Sequence, residues 1–418
     1  MILVTARQAA LGIALVAAVH AHLVSSSPGD GDALEESPGQ IRLVFSEPVE
    51  APLSRVEMVS VTGEMVVPMR ADSTDVRVLV GEIPPLPIAE YRVDWRTVSA
   101  DGHPVEGSFR FTVLGPGAID SAASPRLAPA PAPAGGQAED HRHSGPNASA
   151  GVSAVLRGLA LFSLLVFAGW LIQVVSLPDP VPGALRVAVV MAIAASGLLG
   201  LHLAAWLWHV TPAGATPDLA AAFRTGPGRV EAIRVSLALL ALWAAGLARR
   251  PWPALTFALA AVLVSGATGH SAGIDPRWSI PLKSLHLLAL AVWMGGVAWL
   301  AAGALGDDAF RASAARISGL ALGAVAVVGL TGLGQSAIFL PGLDAVFSSA
   351  YGRLVLAKAA GLAGLVAFGA WNRTRLMPRL AAGEGPGALR ASTRRELALM
   401  LAVSLVAGVL AYVPPPPS

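Results

Sequence analysis

The hydrophobic and polar positions divide the chain into segments of different periodicity. An apolar run at 9–19 follows Arg7, short alternating runs occupy 22–115, no period is visible at 116–150, and long apolar runs fill 151–414. Alternation with a period of two predicts β-strands, and apolar runs of about 18 residues or more predict membrane-spanning helices. The sequence therefore predicts an exported β domain, a tether and a helical membrane domain.

The first segment is typical of a secretory signal peptide. A basic residue precedes a short apolar core, and Val19-His20-Ala21 is a cleavage site of the small-x-small type. Cleavage of residues 1–21 makes His22 the first residue of the mature chain. A retained anchor is the alternative, although the apolar core is short for a membrane span.

The second segment predicts an antiparallel β-sandwich over 22–115. Several runs alternate apolar and polar residues, and clusters of Pro, Gly and Asp separate them. The predicted strands are 40–45, 55–61, 76–80, 91–98 and 108–114.

Two features of this domain suggest a metal site. A free N-terminal His22 offers its amine and its Nδ1 to one metal ion, which no internal histidine can do. Asp101 and His103 lie two residues apart, with Gly102 allowing a sharp turn between them. An amine, two imidazoles and a carboxylate form a nitrogen and oxygen set that favours Cu(II). An ordinary Asp-Gly turn beside a surface histidine is the alternative.

The third segment, 116–150, is rich in Ala, Pro and Gly and predicts an extended tether. It contains His141 and His143, which are either solvated linker residues or a weak metal-capture point.

The fourth segment predicts eight transmembrane helices, because a backbone inside a bilayer must satisfy its own hydrogen bonds. The runs are 152–177, 185–207, 230–247, 252–269, 282–305, 317–339, 354–371 and 397–413. Arginines concentrate after the third, fifth and seventh runs, which the positive-inside rule makes cytoplasmic. Both the β domain and the C-terminus are then predicted outside the plasma membrane.

That topology places the histidines of the helical segment near its outer edge. They are His202, His209, His270 and His286. Ionisable residues inside a membrane are costly and mark functional sites by default. We expect His270 and His286 to form a metal relay, with His202 or His209 as a third contact. Other polar or sulfur-bearing residues that could continue the path are Met294, Gln335 and Lys358.

The amino-acid composition limits the side chains that could bind a metal ion. Of 418 residues, 54% are hydrophobic and 13% are charged, as in an integral membrane protein, and there is no cysteine. Disulfides and thiolate metal sites are therefore excluded, and His, Asp, Glu, Met or backbone groups must hold any metal. No phosphate-binding loop motif occurs, so the sequence gives no support for ATP-driven pumping, and it suggests no enzyme or nucleic-acid partner.

Two resemblances follow from these motifs. Residues 22–114, with HLVSSSP near the start and DGHPVEGSFRF near the end, resemble the copper-resistance protein family CopC. That resemblance implies an immunoglobulin-like or cupredoxin-like sandwich that binds Cu(II) through His22, Asp101 and His103. No dense methionine cluster supports the second, Cu(I) site of some members.

Residues 151–413 resemble the membrane family CopD of bacterial copper resistance. The matching motifs are Gly269-His270, His286 with Trp293-x-Gly295-Gly296, Thr331-Gly332, Tyr351-Gly352 with Leu356-x-Lys358, and Asn372. The whole chain then resembles a CopC–CopD fusion, which implies capture of Cu(II) and movement of copper, as Cu(II) or Cu(I), across the plasma membrane. Uptake, and exchange with other periplasmic copper carriers, are the expectations.

Two alternatives remain open. Histidines across a helix bundle also hold haem, which predicts a membrane electron-transfer protein or cupric reductase. An N-terminal histidine with a second histidine also forms the centre of copper oxygenases, although Asp101 crowds that geometry.

Overall fold

The computed structural model describes five stretches of the chain: 21–61, 63–115, 148–176, 181–302 and 307–416. Two compact units contain them. One unit comprises 21–115 with 218–226, and the other comprises 148–217 with 227–416. The predicted signal peptide up to residue 20 and the tether with His141 and His143 lie outside the described residues.

The first unit is a two-sheet β structure. Its strands are β1 Leu23–Ser27, β2 Asp32–Leu34, β3 Gln40–Phe45, β4 Arg55–Ser60, β5 Gly63–Val67, β6 Arg70–Ala71, β7 Val78–Glu82, β8 Ala89–Val98 and β9 Pro104–Val113. One sheet has the order β1-β3-β7-β6 and the other β2-β9-β8-β4-β5. All pairs are antiparallel except β2 with β9. The five predicted strands are present, whereas very short strands such as β2 and β6 escaped the prediction because two or three residues show no periodicity.

The alternation of apolar residues builds the core between the sheets. Ile41, Leu43 and Phe45 of β3 are buried, while the residues between them are half-buried. Phe45 meets Trp95 of β8 edge-to-face, with ring centroids 5.3 Å apart, so one aromatic pair joins the two sheets.

The second unit is helical in its described part. Together with one short helix of the first unit, α3, the helices are α1 Ala148–Ser176, α2 Ala184–Val210, α3 Leu219–Arg224, α4 Gly226–Gly246, α5 Pro251–Val264, α6 His270–Gly273, α7 Pro276–Ala302, α8 Asp307–Phe339, α9 Leu343–Ser348, α10 Ala350–Trp371, α11 Met377–Ala381 and α12 Gly387–Leu410. A π-helical turn, Asn372–Leu376, follows α10.

The predicted count of eight spans is not confirmed. Five described helices, α1, α2, α7, α8 and α10, are long and apolar enough to cross a membrane, and the shorter apolar helix 251–267 accompanies them. Helices α4 and α12 occupy the predicted third and eighth spans, but each contains charged residues, such as Glu231 and Glu396.

Glycines bring three of these helices into backbone contact. A Cβ on Gly295 of α7 would lie 2.1 Å from the carbonyl carbon of Gly169 of α1, and a Cβ on Gly408 of α12 would lie 2.3 Å from the carbonyl oxygen of Ala154 of α1. Atoms do not approach so closely, so only glycine permits this spacing. Helix α1 therefore packs directly against both α7 and α12.

We predict that Gly295→Ala destabilises the helical unit by about 1–3 kcal/mol, because the new methyl group overpacks the α1–α7 contact. The matched variant is Gly319→Ala in α8, where an added Cβ meets nothing within 4 Å. That change is expected to be neutral or to stabilise by up to about 1 kcal/mol through helix propensity. The midpoints of thermal unfolding of the two variants are compared in detergent, with size-exclusion chromatography as the measure of folded protein. Equal midpoints would contradict the packing argument.

Candidate copper sites

The loop between β8 and β9 holds Asp101 and His103 in one fixed turn. Gly102 adopts φ +93°, which favours glycine, and its N–H donates to the Ser99 carbonyl at 2.8 Å. The Ser99 hydroxyl donates to the Asp101 carboxylate, and the His103 N–H reaches the same carboxylate at 3.3 Å. Asp101 and His103 are only 6% and 5% exposed. The predicted loop is thus present, and it is ordered by its own hydrogen bonds.

The segment after β3 connects this loop to His22. The Ser46 N–H donates to the His22 carbonyl at 2.9 Å, and two residues later the Pro48 carbonyl accepts from the Ala100 N–H at 2.9 Å. Residues two apart in an extended chain are separated by about 7 Å. His22 and the loop therefore lie at the same end of the sandwich.

The free amine that cleavage would create also lies at this end. The backbone nitrogen of His22 is 3.0 Å from the Ser46 hydroxyl, and the His22 side chain is exposed. Among the residues that the structure describes, no three His, Asp or Glu side chains converge as a metal-binding group. The donor types suit copper, but His22 must turn toward the loop to complete the set.

Sequence reasoning missed a carboxylate at this end, Glu47. It lies between Ser46 and Pro48, the two residues that bond His22 and Ala100. Glu47 is distant from both in sequence, and only the hydrogen bonds of this segment reveal the proximity.

The helical unit contains a cavity of about 530 Å³ that collects most of the predicted membrane residues. The predicted residues that line it are His270, His286, Met294, Gln335 and Lys358. They come from α6, α7, α8 and α10, whereas the sequence predicts only that the histidines lie at a similar depth. The cavity shows that these residues lie around one space, which their predicted depth in the membrane does not establish.

Hydrogen bonds indicate which nitrogen of each cavity histidine carries the hydrogen. The His286 Nδ1 lies 2.8 Å from the Thr331 hydroxyl, which is itself 2.6 Å from the Val327 carbonyl. Because a carbonyl only accepts, the hydroxyl donates to Val327 and accepts from His286 Nδ1–H. The lone pair of neutral His286 is then on Nε2.

His270 has the opposite tautomer. Its Nε2 lies 3.0 Å from the Val413 carbonyl, so Nε2 carries the hydrogen and Nδ1 the lone pair. The ring also packs against Tyr351, with centroids 5.9 Å apart. Each histidine is thus held by a backbone or hydroxyl partner, as metal ligands commonly are.

The other two predicted histidines do not line this cavity. His202 is buried with its Nδ1 3.4 Å from a Glu231 oxygen, and His209 lies beside Ser149 and Tyr412. The sequence predicts the same depth for them as for His270 and His286, but their side chains contact different neighbours. The predicted third contact of the relay therefore stays a prediction.

Cationic residues of the cavity were missed. Arg157, Arg234 and Lys283 line it along with Lys358. Arg157 and Lys283 lie within the predicted first and fifth apolar runs, and a charge inside such a run was the signal that could have identified them.

A buried carboxylate, Glu396, contacts Trp293, which lines the cavity. The Trp293 indole N–H donates to Glu396 Oε1 at 3.1 Å, and the Asn372 amide donates to Glu396 Oε2 at 3.1 Å. Glu396 is 3% exposed. It crosslinks α7, α12 and the turn after α10.

The comparisons with known proteins match the β unit and part of the helical unit to two different domain families. Residues 23–114 match the CopC domain, and residues 311–410 match Copper resistance protein D. Copper resistance protein C of Escherichia coli is 35% identical over 114 residues, covering 25% of this chain and 88% of that protein. The chain belongs to the CopC–CopD family of copper-resistance proteins.

One relative matches across both domains. Copper transport protein CutJ of Bacillus subtilis is 28% identical over 432 residues, covering 95% of this chain and 75% of that protein. A crystal structure of CopC from Methylosinus trichosporium OB3b is 34% identical and covers 23% of this chain and 95% of that one, with a TM-score of 0.22.

The matched regions contain part of the candidate sites. Asp101 and His103 lie within the CopC match, and Gln335 and Lys358 lie within the CopD match. His270 and His286 precede the latter. The predicted resemblance to a CopC–CopD fusion is confirmed, and the protein is a copper-handling protein with apolar helices consistent with a membrane location.

Proposed function

We propose that the CopC domain captures Cu(II) through His22, Asp101 and His103, and that the helical domain imports copper across the plasma membrane. The observation that carries the transport step is the cavity shared by His270 and His286, whose lining also includes Met294. Imidazole and thioether are ligands that copper accepts in its two common oxidation states. The name of CutJ, a copper transport protein, supports the same step.

The proposed topology has eight spans, with the CopC domain and the C-terminus outside. The arginine contacts support it. Arg316 reaches the carbonyl of Ser176 at the end of α1, Arg394 that of Ala301 at the end of α7, and Arg373 that of Ser318. These bonds hold the basic residues at the end of the bundle opposite His270, as a cytoplasmic face requires.

We predict that the mature chain begins at His22. The freed amine then lies at the copper end of the sandwich and adds a nitrogen ligand. N-terminal sequencing of the protein purified from membranes checks the cleavage point. A chain that retains Ala21 would bind Cu(II) without the amine and would contradict the proposed ligand set.

The second prediction concerns the buried loop. Asp101→Asn and His103→Ala in the full chain should each weaken Cu(II) binding by about tenfold or more, which corresponds to about 1.4 kcal/mol or more. The matched control is Asp94→Asn, a surface carboxylate of β8 that pairs with Arg92 at 2.7 Å. Competition titration against a chelator measures the affinity. If Asp94→Asn and Asp101→Asn bind equally well, the loop is not the site.

The third prediction separates the cavity route from the histidines outside it. His270→Ala and His286→Ala should abolish copper accumulation in cells while leaving protein level and Cu(II) capture unchanged. His209→Ala, which changes an imidazole that does not line the cavity, should retain accumulation. If only His209→Ala lost copper accumulation, the copper route would not run through the cavity.

A further inference from the structure

The cavity of the helical unit is cationic at one end and apolar at the other. Lys283 on α7 and Arg157 on α1 both bond to Thr268 at its first end, and Lys358 on α10 lines the cavity within electrostatic reach of Lys283. Further along the same helices the lining becomes Leu165, Met294 and Leu365. At a rise of 1.5 Å per residue, Lys283 and Met294 are separated by about 16 Å along α7. The cavity is therefore elongated along the helices, with its charge gathered at the His270 end.

The cations at that end bond to neutral groups and share one carboxylate, Glu231. Lys283 Nζ donates to the Thr268 carbonyl at 2.5 Å, and Arg157 donates to the Thr268 hydroxyl at 2.8 Å. Arg234 is the exception, since it lies 2.7 Å from both oxygens of Glu231. Within the described ranges, no Asp or Glu lines the cavity. Glu231 also interacts electrostatically with Lys283 and Arg157, but one carboxylate shared among several cations leaves a net positive charge, which is costly inside a membrane.

A ligand that fits this lining has an anionic group at one end and an apolar chain at the other. We propose that the cavity binds one acidic phospholipid, with its phosphate between Lys283, Lys358 and Arg157 and an acyl chain extending toward Met294 and Leu365. The bilayer offers such molecules at high local concentration. Phosphate oxygens accept charge-assisted hydrogen bonds from lysine and arginine, and the leucines and methionines of the deeper half replace the hydrocarbon surroundings of the chain.

The experiment measures bound lipid on the full chain without copper, so its outcome is independent of the proposed copper route. The protein is reconstituted in nanodiscs of equal phosphatidylglycerol and phosphatidylcholine, re-extracted in mild detergent, and its retained lipid is quantified by mass spectrometry. We expect about one phosphatidylglycerol per chain in the native sequence, in keeping with a single headgroup site.

Two variants address the two ends of the site. Lys283→Gln with Lys358→Gln removes the charge and should lower retained phosphatidylglycerol several-fold. Gly329→Phe should do the same from the apolar side, because Gly329 lines the cavity and an added Cβ there meets nothing within 4 Å. A glycine replaced inside a helix does not cost helix propensity, so this variant serves if the lysine variant fails to fold.

The control is Arg277→Gln, an exposed cation before Lys283 in α7 that pairs with Asp275 at 2.9 Å. It should retain phosphatidylglycerol at the native level. Equal retention in all variants, retention of phosphatidylcholine alone, or no lipid in the native chain would overturn the proposal. A Soret band that disappears in the same variants would also overturn it, because the ligand would then be a porphyrin carboxylate.

Discussion

The close packing of α1 against α7 and α12 determines where the polar chemistry of the helical unit can lie. At Gly169 and Gly295 the backbones of α1 and α7 touch, and at Gly158 and Gly408 those of α1 and α12 touch. Arg157 precedes one of these contacts and Met294 precedes the other. The contacts therefore fix the lateral position of both ends of the cavity, which a looser bundle of leucine-lined helices would leave variable.

The same rigidity gives the cavity histidines their orientation. Thr331 is tied to the carbonyl of Val327, and its oxygen then specifies the tautomer of His286. His270 is tied to the Val413 carbonyl just beyond α12. Each imidazole therefore has a hydrogen-bond partner that fixes one of its nitrogens without a metal. Such outer hydrogen bonds orient a ligand before metal arrives.

Sequence periodicity predicts the sandwich far better than it predicts the cavity. In β3 the alternation of Ile41, Leu43 and Phe45 identifies the buried face, because one face is apolar and the other is not. In α2 nearly every residue is apolar, so the pattern gives the depth of His202 but not the direction of its side chain. The structure turns His202 toward Glu231, away from the predicted relay. The predicted count of eight spans is not confirmed for a related reason. Helices α4 and α12 contain both charged and apolar residues, so they do not stand out as membrane spans.

The charge of the cavity constrains how copper can pass it. A copper ion ligated by His286 would approach Lys283 and Lys358, which line the same cavity. Two unit charges 4 Å apart repel by about 4 kcal/mol at an effective dielectric constant of 20, and a divalent ion doubles that figure. Two imidazoles are neutral and cannot offset it. A resident phosphate beside the lysines would cancel most of this repulsion, and without one the transported species would have to carry its own anionic ligands. The cationic end of the cavity thus connects lipid occupancy to the charge of the copper species that the histidines can accept.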